Sequence, residues 1–218
     1  MGKSILTTNQ FKLLESASTS ELITSHFYLT GGTALSEFYF KHRISEDLDF
    51  FSEQAINDRQ LTLWVKETSI KLKSETEVQA LNGQYTYFFH FPDEVIKVDF
   101  AYFPFTMLGK PLKYNRLLVS SVEDIATNKI QAILTRCRGR DYFDLYKILN
   151  NREITLDKIL QDYRLKFDIG ISYEQLAKKF TAILDASDQP RFIEKVNWKI
   201  IEGFFLSEAK KLEHKLLI

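Results

Sequence analysis

The stretch FYLTGGTALSEFYFKHRISEDLDFF, residues 27–51, restricts the possible fold more than any other. An apolar run stops at Gly31-Gly32, a helix-length segment follows, and the stretch closes on D-L-D-F-F. This pattern predicts a buried strand over FYLTG, a helix over TALSEFYFKH and a second strand over DLDFFS. Strand side chains alternate, so Asp47 and Asp49 share one face while Leu48 and Phe50 take the other. Two carboxylates about 4 Å apart repel by about 4 kcal/mol at an effective dielectric of about 20. Solvent, protonation or a cation must offset that.

A hard divalent cation suits the arrangement, because Mg²⁺ is held by one or two carboxylates together with substrate phosphates. The sequence supplies a third carboxylate, Asp99 in IKVDFAY, set between apolar Val98 and Phe100 on another predicted strand. The glycine pair fits the same picture. A strand-to-helix turn through Gly31 and Gly32 lets a ligand approach the backbone, and the start of the following helix favours anions. Thr33 is placed to cap that helix or to bind phosphate oxygens.

Elsewhere, TTNQFKLLESAS and SELITSHF predict short helices, and INDRQLTLWVKETSIKLKS predicts a longer one capped by Asn57. ETEVQALNGQYTYFFHF has Asn82-Gly83 between β-formers, a hairpin signal, and EVIKVDFAYFPF supplies a further strand. From Ser121 the pattern turns helical: SVEDIATNKIQAILTR, with Ser121 and Asp124 at capping-box spacing, then RDYFDLYKILN, TLDKILQDYRLKF, SYEQLAKKFTAILDAS capped by Ser172, and NWKIIEGFFLSEAKKLEHKLL. The expected class is α+β: a mixed sheet with flanking helices over residues 1–120, followed by an all-helical half over 121–218. The 18 Phe and 10 Tyr predict bulky packing layers between sheet and helices.

Formal charge sums to zero, so no global field draws the chain to nucleic acid or membrane, and a polyanion site must be a local patch. The single cysteine, Cys137, excludes an internal disulfide and fits a reducing compartment. The first residues lack a signal-peptide apolar core, and no run approaches the roughly 18 apolar residues of a membrane span. A cytoplasmic protein is expected.

Three segments taken together resemble a known family. GGTALSEFYFKHRISEDLDFF, VDFAYF and DIATNKIQAILTRCRGRDYFDLYKIL match in order and spacing the AbiEii/AbiGii-type nucleotidyltransferases, relatives of the MenT toxins in the polymerase-β-like superfamily. The resemblance covers about residues 27–150 and leaves the last helices unmatched. It implies a nucleotidyltransferase-fold catalytic domain over 1–120 and a helical domain contributing Lys129 and Asp141. Asp47 and Asp49 would hold Mg²⁺ or Mn²⁺, with Asp99 as a further ligand or as base toward the attacking hydroxyl. Gly31, Gly32, Thr33 and Ser45 would meet the NTP phosphates. Lys129 would neutralise the triphosphate, and Arg43 would bind phosphate or orient the acidic cluster. Asp141 falls on the family's last motif. The implied reaction moves a nucleotidyl group from an NTP to an acceptor hydroxyl with release of pyrophosphate. The implied acceptor is RNA at a tRNA 3′ end, the setting a toxin–antitoxin or phage-defence module, and the protein partner a cognate antitoxin.

Structural readings compete with each role. Lys129 lies near Arg136, Arg138 and Arg140 and could belong to a solvated basic face. Asp141 could serve a helix N-terminus, and Asp144 could pair with Arg140 or Lys147 at helical spacing. The aromatic run 85–91 reads as sheet core, and His42 and His90 as structural or surface residues. The rival functions are a non-catalytic nucleotide-binding partner protein and a nucleotidyltransferase acting on small molecules or proteins.

Overall fold

In the computed structural model, residues 4–81, 83–151 and 153–215 are described, and they divide into two compact units. The first is Met1–Lys41 with Ser45–Ser121; the second is His42–Ile44 with Val122–Ile218.

In the first unit, α1 (Thr8–Thr19) opens with a reciprocal capping box. The Thr7 hydroxyl accepts from the Gln10 amide while the Gln10 side chain accepts from the Thr7 amide. Ser20 caps α2 (Glu21–His26). Strand β1 (Tyr28–Thr30) leads into α3 (Gly31–Leu35), which runs on as a π-helix over Ser36–Phe40 and stops at Lys41, whose φ is 51°. The sequence pattern predicted one regular helix there; the wider turn carries no apolar-period signal. Strand β2 (Leu48–Ser52) is followed by α4 (Asp58–Leu72), capped by the Asn57 side chain as expected. The hairpin follows as β3 (Glu75–Leu81) and β4 (Gln84–His90), with Leu81 paired to Gln84 and Gly83 at φ 80°. Its expected turn residue Asn82 lies outside the described residues. Strands β5 (Val95–Tyr102), β6 (Leu112–Tyr114) and β7 (Leu117–Val119) complete a seven-stranded sheet of order β3-β4-β5-β2-β1-β7-β6. The sheet is mixed: β2–β5 and β1–β7 run parallel, the other pairs antiparallel.

Alternation along the central strands sorts the two faces. Leu48, Phe50, Tyr87, Phe89, Val98 and Phe100 are buried on one side. Phe100 is the hub of that layer. It stacks on Phe50 at 5.1 Å and meets Phe27, Trp64 and Tyr87 edge-on at 5.1, 5.8 and 6.1 Å. Tyr87 and Phe89 bear out the reading of the aromatic run as sheet core.

The second unit is helical: α5 (Val122–Thr135), α6 (Gly139–Asn150), α7 (Leu156–Phe167, capped by Thr155), α8 (Tyr173–Thr181, capped by Ser172), a 3-10 turn over Ala182–Asp185, and α9 (Trp198–Lys215). Its core stacks Tyr142 and Phe180 edge-on against Phe205, at 5.2 and 5.0 Å. Asp124, expected as a capping residue, is buried and receives the Lys166 ammonium at 2.7 Å. The segment His42–Ile44 joins this unit through backbone hydrogen bonds from Ile44 N to Arg191 O (2.8 Å) and from Ile193 N to His42 O (3.2 Å). Among the described residues no helix is long and apolar enough to cross a membrane.

Because Phe100 is fully buried among four rings, Phe100→Ala should lower the stability of the sheet unit by about 3–5 kcal/mol. Urea unfolding followed by tryptophan fluorescence measures it; a loss under about 1 kcal/mol would mean the layer can close over the cavity.

Candidate active site

The acidic residues of the first unit are gathered by strand register. Asp49 on β2 pairs with Thr30 of β1 on one side and with Asp99 of β5 on the other. Asp99 in turn pairs with Thr86 of β4. These residues therefore occupy one face of the sheet, opposite the Phe100 layer. Asp47 lies one residue before β2, across from Lys97 if the ladder is continued by one step.

Each side chain is held by something specific. Gly31 sits at φ 75°, and a Cβ placed there would lie 2.1 Å from Asp49 Oδ2. Only glycine tolerates both the backbone angle and the carboxylate pressed against it. The Thr33 hydroxyl is fully buried and donates to the backbone carbonyl of Asp47. It therefore anchors the D-x-D segment instead of capping the helix or reaching for phosphate, as the sequence had suggested. Ser45 is buried, and its carbonyl accepts from Gln10 Nε2 at 2.9 Å. Gln10 also holds the carbonyl of Glu46, so α1 fixes the approach to Asp47.

Asp99 is 4% exposed and takes donors on both oxygens. Thr86 Oγ1 and, at 3.4 Å, Gln84 Nε2 donate to Oδ1, and Lys97 Nζ donates to Oδ2. Sequence reasoning passed over Lys97. Its burial works to depress its pKa, but the hydrogen bond and charge of Asp99, with the charges of Asp47 and Asp49, outweigh that and raise it. The ammonium is thus ion-paired with Asp99 and sits in the field of Asp47 and Asp49. The available signal was its spacing, two residues before Asp99 on the same strand face.

The donor set suits a hard cation only in part. Among the described residues no three His, Cys, Asp or Glu side chains are grouped closely enough to hold a metal ion. Asp99, read from the sequence as a further metal ligand or as base, accepts hydrogen bonds from Thr86, Gln84 and Lys97. A pair of carboxylates such as Asp47 and Asp49 still meets what Mg²⁺ asks of a protein when phosphates supply the remaining ligands.

The second unit holds a separate charged cluster. Lys129 of α5 is buried, with its ammonium 2.7 Å from Asp141 Oδ1 and 2.7 Å from Asp144 Oδ2 of α6. Asp144, fully buried, also accepts from Arg43 Nε (2.6 Å) and Arg43 Nη2 (2.9 Å), and its Oδ1 is 2.8 Å from His42 Nε2. Arg136 Nε donates to Asp141 Oδ2 at 2.8 Å. Lys129 is thus no member of a solvated basic face, and Arg43 orients an acidic group, Asp144, instead of lying open to phosphate. Asp144 is structural, but its partners come from His42, Arg43 and Lys129 and not from Arg140 or Lys147 at helical spacing. Burial opposes ionisation of Asp144, yet Arg43 and Lys129 hold its carboxyl well below the usual range. Burial likewise opposes the charged form of Asp141, which Lys129 and Arg136 lower. Burial lowers His42 despite its bond to Asp144.

A mixed sheet bearing in-register carboxylates beside a glycine turn, with an all-helical second unit, has counterparts among known structures. A putative nucleotidyltransferase from Helicobacter pylori is 19% identical, with a TM-score of 0.60 over 97% of both chains. MenT4, a nucleotidyltransferase toxin of Mycobacterium tuberculosis, is 15% identical, with a TM-score of 0.52 over 93% of this chain and 82% of that one. In sequence, an uncharacterised protein of Aquifex aeolicus is 26% identical over 197 residues, 87% of this chain and 89% of that protein. The model of the family described as "Nucleotidyl transferase AbiEii toxin, Type IV TA system" matches residues 12–192. The chain belongs to this family and is a nucleotidyltransferase.

Three outcomes follow from the geometry. Gly31→Ala should cost about 1–3 kcal/mol in unfolding free energy, since it forces a left-handed alanine against Asp49; an unchanged melt would show that β2 yields. Asp144→Asn, which leaves Lys129 and Arg43 buried with reduced compensation, should cost about 3–5 kcal/mol. The depressed carboxyls contribute stability that is full above the unfolded value of about 3.9 and is lost as pH falls below it. His42, lowered in the folded state, adds a loss as pH falls below its unfolded value of about 6.5, because only the unfolded chain then takes the proton. Stability measured from pH 7 to 5 should therefore decline, and His42→Gln should flatten that decline.

Proposed function

We propose that the face carrying Asp47, Asp49 and Asp99 is where a nucleotidyl group passes from an NTP to an acceptor hydroxyl. The observation that supports it best is the close seat of Asp49 against Gly31 and beside Asp99 in register, in a chain whose family is defined by this chemistry. In the reaction the acceptor oxygen forms a bond to the α-phosphorus and the bond to the bridging oxygen breaks. Pyrophosphate leaves, and the hydroxyl proton passes to a carboxylate of the cluster.

Asp47 and Asp49 are the residues we assign to a divalent cation, Mg²⁺ or Mn²⁺. Such an ion, when bound, supplies charge for the phosphate oxygens and orientation for the displacement. Gly31 and Gly32, at the helix start beside Asp49, are assigned to the NTP phosphates. Thr33 and Ser45 act from beneath, through the backbone they secure. Asp99, which accepts from Thr86, Gln84 and Lys97, is assigned as the further ligand or as the base that takes the hydroxyl proton. Within the helical unit Asp141 holds the Lys129 ammonium, while Asp144 ties it to Arg43 and His42. RNA, at a tRNA 3′ end, is the acceptor we favour, with a cognate antitoxin as protein partner in keeping with the family's type IV toxin–antitoxin description.

Purified protein incubated with each α-³²P-NTP, Mg²⁺ and total tRNA should label RNA with one or more nucleotides. Asp49→Ala should abolish the label while leaving the melt within a few degrees. Label on protein instead of RNA would move the acceptor to polypeptide. Nucleotide binding without any transfer would return the chain to the rival reading as a binding partner.

A further inference from the structure

Lys97 is the feature of the acidic face that the proposed reaction leaves unused. It lies two residues before Asp99, so alternation on β5 puts both on the same face of the sheet. Its ammonium is ion-paired with Asp99 Oδ2, and the charges of Asp47, just before β2, and Asp49 act on it as well. The side chain is 36% exposed, so its tip is neither locked in the core nor free in solvent. The cost of crowding three carboxylates on adjacent strands is therefore reduced by a cation that is part of the chain.

The ion pair has a consequence for metal binding: a divalent ion placed against Asp99 Oδ2 would have to displace the ammonium that already holds it. The other Asp99 oxygen is no more available, since Thr86 and Gln84 donate to it.

We propose that Lys97 is a built-in second cation: paired with Asp99, it stands where a second metal ion would otherwise be held, so that the site takes a single divalent ion on Asp47 and Asp49. Lys97 is then a positioning residue that fixes the number and affinity of the ions, and through them the charge offered to the nucleotide. This inference rests on the reading of the acidic face as the nucleotidyl-transfer site.

The test is direct counting of Mn²⁺ on the full chain by the electron paramagnetic resonance signal of the free ion, with Mn²⁺ alone and with Mn²⁺ plus ATP. The wild type should bind one ion per chain. Lys97→Met should bind two, or bind the first about tenfold more tightly, because the competing charge is gone. Lys97→Gln, a second neutral variant, should behave the same way, and Lys97→Arg should stay at one. In thermal melts the neutral variants should lose stability without metal and gain more than the wild type when Mn²⁺ is added, a response that a merely structural lysine would not give. Two ions on the wild type, or an unaltered count and affinity in both neutral variants, overturns the proposal. Asp49→Asn separates the two levels. If it binds Mn²⁺ as well as the wild type does, the acidic face is not the metal site and the underlying reading fails with it. If it loses Mn²⁺ while the lysine variants do nothing, only the role of Lys97 falls.

Discussion

The parallel pairing of β2 with β5 sets Asp49 beside Asp99, and the surrounding structure follows from the need to keep two like charges in register. An isolated carboxylate pair at that spacing would push the strands apart or take up a proton. Here each aspartate is given its own restraint. Asp49 lies against a glycine whose missing side chain makes the space, and Asp99 is wrapped by a hydroxyl, an amide and an ammonium. The apolar side of the same strands contributes as much. Phe50 and Phe100 stack directly behind the two acids, so the hydrophobic layer fixes the register that the charges alone would oppose.

The helical unit solves a related problem differently. There the carboxylates are removed from water altogether and satisfied by cations from distant parts of the chain: Arg43 and His42 lie about a hundred residues before Asp144. Such a cluster adds little net stability over apolar packing, but removing one member leaves charges stranded. It is better understood as a device that admits one arrangement of α5, α6 and the 42–44 segment and penalises others.

The sequence carried the parts of this that depend on short range. Caps at Asn57 and Ser172 and the strand–glycine–helix–strand order follow from local periodicity and propensity. Strands β6 and β7 did not, because three residues each are too few to show a period and the turn between them rests on Asn115 at φ 54°. The partners of Asp144 were misread for the opposite reason. Helical spacing offered Arg140 and Lys147, and nothing local announces a salt bridge across a hundred residues. Lys97 was passed over because a lysine on a half-buried strand ordinarily points to water, although its spacing from Asp99 put both on one face. Thr33 looked like a ligand because its hydroxyl follows a glycine turn, and its complete burial could not be seen without the D-x-D carbonyl it holds.

The three residues His42–Ile44 belong to the helical unit although the chain on either side of them belongs to the sheet unit. The polypeptide thus passes between the two units three times, at 41–42, 44–45 and 121–122. A fragment ending near residue 121 would contain every strand, yet it would carry Arg43 and His42 without the aspartate that satisfies them, a few residues from Asp47. The two units are consequently not exchangeable modules in the usual sense. A chain boundary placed at the end of the sheet would divide a unit whose first three residues lie far back in the sequence.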